Sequence, residues 1–449
     1  MNEAENKITV IDDTMGSGKT SFMIAYMNAH PKKSYIYCTP LLSEVTRIRR
    51  SCPQLDFKEP IHENGGRKID SFNNLLSGGH NIVLTHSTFA NATLETVQYI
   101  KENNYILIMD EVIELLENVN DFEIGVELNN KTAKGKNNVL SIVEQYLSVD
   151  NDGVVAWTGK RYGKHWYLNP LVEMADNKSL LLINGCFLVW QFPYHIFELF
   201  ERVYVLTYLF QGSIMKYYLD YHGIGYTRKS IESKTYCEGE ECFTRYRLIE
   251  YRQDVEKQKQ YGKLVKIWDN PKANNYKCKS LSSTWISRNL SEFKELKPKL
   301  YNFFRNEAKA KSEQIMWTCK GEYRKYLKGE GYTFVRRLTA EEKAIYSKNE
   351  NDERVRTLSC FVPSNTKATN DFKDKSILAY CLNIFPRPEI KCYFQKRKIK
   401  FDDDLFALGI MLQWIWRSRI RDDKPIMIYI PSMRMRTMLR DWLDGKQYE

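Results

Sequence analysis

The stretch Thr14-Met15-Gly16-Ser17-Gly18-Lys19-Thr20 constrains this chain more than any other. It follows a short apolar β-branched run, Ile8-Thr9-Val10-Ile11, and leads into Thr20 to Asn28, which carries the apolar residues Phe22, Met23, Ala25 and Tyr26. Strand, glycine turn and helix in that order form a phosphate loop. The glycines let backbone N–H groups curl around an anion at the positive end of a helix. In such a loop Gly16, Ser17 and Gly18 form the cradle, Lys19 reaches the β and γ oxygens of a nucleotide, and the Thr20 hydroxyl binds magnesium. ATP and Mg2+ are therefore the expected cofactors. Asp13 stands where the pattern usually has its first glycine. A glycine turn that happens to precede Lys-Thr is the bland alternative, and the flanking strand and helix weigh against it.

Further strands are expected at Tyr35–Cys38 and Ile82–Leu84, ending at Thr39 and Thr85. Ligands of an open parallel sheet bind at the carboxyl ends of its strands, so Thr39 and Thr85 are candidates to touch a nucleic-acid backbone, or else simple strand terminators. Tyr105-Ile106-Leu107-Ile108-Met109 is continuously apolar, as a strand buried on both faces should be, and delivers Asp110-Glu111 at its end. There Asp110 would hold magnesium, and Glu111 would orient and polarise the water that attacks the γ-phosphate. A strand at Val203–Leu206 ends at Thr207. The interval from Glu111 to Thr207 exceeds a simple crossover, which makes residues 117–195 an insertion. Within it, Lys160 to Tyr167 is basic and aromatic, suited to holding a single strand or forming a solvated hairpin.

Strand-like runs resume at Gln314–Trp317, Thr357–Phe361, Ile377–Tyr380 and Ile426–Ile430. The fold expected is α/β: two RecA-like parallel-sheet lobes, residues 1–222 with the insertion and residues 223–449. The polar segment Asn365 to Asp371 places Thr366 either in a loop facing a cleft or in a surface turn. Phe406 to Arg421 reads as a helix opened by Asp402, Asp403 and Asp404, with Gln413, Arg417 and Arg421 on one face. An arginine so placed can stabilise charge in a phosphoryl-transfer transition state.

With 43% hydrophobic and 27% charged residues the chain is neither disordered nor fibrous. A formal net charge of +11 favours a polyanionic partner. Nine Trp, 29 Tyr and 21 Phe are mostly core, with a few available for stacking on bases. The ten cysteines lack metal-ligand spacing and are expected as reduced thiols. No long apolar run or signal segment is present, so the expectation is a cytoplasmic protein without a membrane partner.

Taken together, Met15-Gly16-Ser17-Gly18-Lys19-Thr20, Asp110-Glu111-Val112 and Gln413…Arg417-Ser418-Arg419 resemble superfamily 2 helicases, in particular herpesvirus origin-binding helicases and bacteriophage replication helicases. The resemblance implies an ATP hydrolase acting as a nucleic-acid helicase, on DNA, in viral or phage replication or recombination, with replication proteins as partners and the host cytoplasm as location. A duplex translocase without unwinding, or a nucleotide-switched nucleic-acid-binding protein, are the alternatives. The family's last motif reads Gln-x-x-Gly-Arg-x-x-Arg, whereas here Trp416 replaces the glycine and Ile420 the final arginine. The arginine finger thus lies among Arg417, Arg419 and Arg421.

Overall fold

Apolar runs separated by helical segments pair in parallel, because each crossover returns the chain to the same edge of the sheet. The computed structural model, which describes residues 6–62, 67–122, 139–163, 166–238, 241–277, 279–350, 352–366 and 371–448, contains two such sheets. The chain divides into unit 1 (Met1–Asp12, Gly18–Tyr251, Pro386–Phe401) and unit 2 (Asp13–Ser17, Arg252–Phe385, Asp402–Glu449).

The strands of unit 1 are β1 (Ile8–Asp12), β2 (Tyr35–Thr39), β3 (Ile82–Thr85), β4 (Ile106–Asp110), β5 (Leu116–Asn118), β6 (Leu147–Val149), β7 (Val155–Trp157), β8 (Leu180–Ile183), β9 (Phe187–Gln191), β10 (Arg202–Thr207), β11 (Tyr226–Glu238) and β12 (Glu241–Glu250). Seven of them form one sheet in the order β12-β11-β1-β10-β4-β2-β3, parallel except for the edge strand β12. β4 lies inside the sheet between β10 and β2, and Ile106, Leu107, Ile108 and Met109 are at most 1% exposed. Each such side chain stabilises the unit by roughly 1.5–3 kcal/mol. Helix α1 (Lys19–Ala29) packs Met23 and Met27 against Ile11, Tyr37 and Leu206.

The expected insertion is present, with two small antiparallel sheets, β5-β9-β8 and β6-β7. Its own core includes Val143, Val155, Trp157, Leu171 and Leu188. Lys164 and His165 of its basic stretch lie outside the described residues. Tyr146 stacks on Trp157, and Tyr162 lies 4.7 Å from Trp166 between ring centroids.

Unit 1 extends beyond the expected boundary at residue 222. β11 continues the sheet by pairing with β1, Ile8 opposite Tyr226 and Ile11 opposite Lys229, so the first lobe runs to Tyr251. The polar residues of β11 and β12 hide this, since an edge hairpin has solvent on most of its surface. The hairpin also joins Cys237 to Cys242 in a disulfide, correcting the expectation of reduced thiols for that pair. A later segment returns to unit 1: the helix Pro388–Gln395 places Ile390, Tyr393 and Phe394 in its core. There the Tyr393 hydroxyl donates to Gln191 Oε1 at 2.7 Å.

Unit 2 is a four-stranded parallel sheet, with β13 (Val265–Ile267), β14 (Ile315–Cys319), β15 (Ile377–Cys381) and β16 (Ile426–Tyr429) in the order β13-β16-β15-β14. Thr357–Phe361 makes only isolated bridges, Trp317 with Phe361 and Phe334 with Ser359. The architecture is α/β, two parallel-sheet lobes of the RecA-like kind with an insertion in the first. No helix among the described residues is long and apolar enough to cross a membrane.

Candidate nucleotide site

The turn between β1 and α1 is built on glycine. Gly16 and Gly18 have φ of 83° and 91°, left-handed values that side-chain-bearing residues rarely adopt. Gly18 caps α1 without a side-chain hydrogen bond, and the first turn of that helix contains no acidic residue. The positive dipole end of that helix favours an anion. A Cβ on Gly18 would lie 2.6 Å from Cε1 of Tyr246, whereas one on Gly16 would meet nothing within 4 Å. The Ser17 hydroxyl is buried with no hydrogen-bond partner among the described residues. Asp13 accepts the Thr14 N–H at 2.6 Å, closing the start of the turn where the motif usually has glycine.

Asp12, 2% exposed at the end of β1, fixes the base of the turn. Its carboxylate accepts from Arg228 Nη2 at 2.8 Å and from the Phe210 N–H at 3.1 Å. Burial pushes this carboxyl up, while the Arg228 guanidinium, the Phe210 N–H and Lys19 pull it down.

At the end of β4, the Thr20 hydroxyl donates to Asp110 Oδ2 at 3.4 Å, and the Tyr37 hydroxyl donates to the same oxygen at 3.1 Å. His86 Nε2 meets the Asp110 carbonyl at 2.9 Å. Burial raises the Asp110 carboxyl above its usual range and Glu44 raises it further, while Tyr37, Lys19 and Thr20 act the other way. A divalent cation beside it would reverse that balance. Among the described residues no group of three or more His, Cys, Asp or Glu could hold a metal. The donors at hand are one hydroxyl and one carboxylate, and magnesium commonly takes so few from protein, completing its shell with phosphate oxygens and water. The next residue, Glu111, has φ of 68°, and its N–H donates to the Leu206 carbonyl of β10 at 3.0 Å. Left-handed backbone at a residue other than glycine is uncommon and collects at functional sites.

Tyr37 and His86 were not singled out from the sequence. A tyrosine inside the apolar run of β2 was the available signal, because a buried hydroxyl needs a partner.

The remaining candidates lie in varied surroundings. Thr85 is half-buried, its hydroxyl 3.0 Å from Ser87 Oγ. Thr39, the last residue of β2, is fully buried. In unit 2 the expected helix Phe406–Arg421 is instead Asp403–Ile415, capped by Asp402, whose side chain accepts the Asp404 and Leu405 N–H groups at 2.9 Å. It stops because the Arg417 and Ser418 N–H groups turn back to the carbonyls of Trp414 and Ile415, the latter also taken by the Ser418 hydroxyl at 2.7 Å. Gln413, Arg417 and Arg421 therefore do not share one helical face. Gln413 and Arg421 are exposed, and Arg417 is buried and donates to the Thr366 carbonyl. Arg419 donates to the Pro425 carbonyl at 2.5 Å and lines a cavity of about 430 Å³ with Lys263 and Lys266.

Comparison with known proteins gives one full-length relative. The SPbeta prophage-derived uncharacterized protein YonV of Bacillus subtilis (strain 168) is 34% identical, over 98% of this chain and 100% of its own length. The family model described as the YonV C-terminal Rossmann-like domain matches residues 259–443. Among solved structures, an XPD helicase aligns over 96% of this chain and 94% of its own, with a TM-score of 0.49 and 12% identity. The S. tokodaii Xpd4 structure aligns over 97% and 94%, with a TM-score of 0.44 and 14% identity.

Proposed function

The chain belongs to the family of the prophage-derived protein YonV, and on that footing we propose that it is an ATP-dependent nucleic-acid helicase, an ATP hydrolase working on DNA in phage replication or recombination. One observation carries the proposal. Thr20 and Asp110, 90 positions apart, meet at 3.4 Å at the glycine-capped start of α1. A hydroxyl of a phosphate loop beside the carboxylate at the end of a buried strand is the arrangement a magnesium nucleotide requires.

In this proposal the backbone N–H groups from Gly16 to Thr20 and the Lys19 ammonium bind the phosphates. Thr20 and Asp110 would hold Mg2+, which would supply positive charge against the phosphates. Glu111 orients the attacking water and accepts its proton. Gln413, Arg417 and Arg421 are proposed to complete catalysis, with Arg419 the remaining candidate for the finger; this rests on the motif resemblance. Thr85 and Thr366 are proposed nucleic-acid contacts. The preference for DNA, the narrower likeness to herpesvirus and phage replication helicases, and replication proteins as partners rest on that resemblance too.

The test is hydrolysis by Glu111→Gln. The amide cannot take the water's proton, so ATP and Mg2+ binding should persist while turnover falls by about a hundredfold or more. Loss of nucleotide binding would instead give Glu111 a structural role. Strand displacement on a forked duplex then separates a helicase from a translocase that moves without unwinding.

A further inference from the structure

The hairpin β11–β12 does more than close the sheet edge. Lys229 is the last residue of β11 registered against β1, yet the strand runs on to Glu238. At about 3.3 Å per residue this is an overhang of roughly 30 Å past the carboxyl ends of the parallel strands, the edge where ligands of such sheets bind. One face of the ribbon can be followed outward. Ile231, opposite Leu248, belongs to the core beneath α1, and the next pair on that face is Ser233 opposite Tyr246. Tyr246 is therefore the last large side chain of the core before solvent, and it is half-buried.

Its ring rests on Gly18, with Cε1 2.6 Å from where a Cβ would stand. Phe22, one turn further along the same face of α1, packs partly buried against the same core. A nucleotide whose phosphates lie on the N–H groups of Gly18, Lys19 and Thr20 must carry its base away from that turn, one ribose distant. The half-buried Tyr246 ring stands at the margin of that turn, the aromatic side chain of the hairpin nearest to where the base would go.

We infer that Tyr246 is the stacking platform for the nucleotide base, so that the β11–β12 hairpin forms part of the nucleotide site. The inference deepens the phosphate-loop proposal and rests on it. Aromatic stacking tolerates any base, so the role concerns affinity for a nucleoside triphosphate over bare polyphosphate rather than a choice among bases.

The experiment compares ATP with inorganic tripolyphosphate, each with Mg2+, as ligands of the full chain. Tyr246→Leu keeps an apolar side chain against Gly18 but removes the π face, and Tyr246→Phe keeps the face and removes the hydroxyl. With Tyr246→Leu, ATP affinity should fall about tenfold while tripolyphosphate affinity stays within about twofold. Tyr246→Phe should bind both like the parent. Unchanged ATP binding by a folded Tyr246→Leu variant overturns the inference alone. So does equal weakening of both ligands, which would mean that the ring only props the turn. A parent chain that binds neither ligand overturns the phosphate-loop proposal and this inference with it.

Discussion

Gly18 carries two constraints at once, a left-handed φ of 91° and the ring of Tyr246, whereas Gly16 carries only the first. Gly16→Ala should therefore lower stability by about 1–2 kcal/mol, the cost of forcing a side-chain-bearing residue into that conformation. Gly18→Ala should lower it further, because the added methyl must displace an aromatic ring. Denaturant unfolding measures both, and equal losses would mean that the ring yields freely. Residues bound to the backbone pattern of a motif were the most legible in the sequence: Gly18, Lys19, Thr20 and Asp110 were named from spacing alone, and Thr20 and Asp110 meet. Residues that reach the site from other strands were not. Tyr37 and Tyr246 lie in strands whose side-chain facing depends on register, and register follows from pairing partners that a single sequence does not display.

Among the elements, buried parallel strands were legible because continuous apolar runs leave little choice, as in β4. The hairpin β11–β12 was not, since its long polar ribbon carries the signature of surface rather than sheet. The end of the helix Asp403–Ile415 was missed for another reason. No glycine or proline marks it, and the Ser418 hydroxyl closing on the Ile415 carbonyl looks like any serine in sequence. The return helix Pro388–Gln395 offers a test at this scale. His222 stacks on Tyr194 at 3.9 Å between centroids and meets the Tyr393 hydroxyl of that helix at 3.0 Å. Burial, aided by Arg397, holds its imidazole down to about 4, below the ordinary 6.5. The unfolded chain therefore binds the proton more tightly, so this residue's share of stability is intact above about pH 6.5 and is lost as pH falls toward about 4. His222→Phe should flatten the pH dependence of the melting temperature in that window, and an unchanged slope would show that another group governs it.

At the scale of the whole molecule, a net charge of +11 favours a polyanionic partner. Lys and Arg contacts to phosphates release counterions, so nucleic-acid affinity should drop steeply as salt rises from about 50 to 200 mM. A salt-independent affinity would argue against a phosphate-tracking surface. The division into lobes was expected, but its boundary and the return of Pro386–Phe401 were not, since a chain that re-enters an earlier unit leaves no compositional mark. The measurement that bears most directly on the proposed function is steady-state ATP turnover with and without saturating single-stranded DNA, for the parent chain and Lys19→Ala. Turnover by the parent should rise at least about tenfold with DNA, and Lys19→Ala, folded as judged by its melting temperature, should hydrolyse at background in both conditions. Parent-level turnover by Lys19→Ala, or a parent rate indifferent to nucleic acid, would contradict an ATP-driven motor built on this loop.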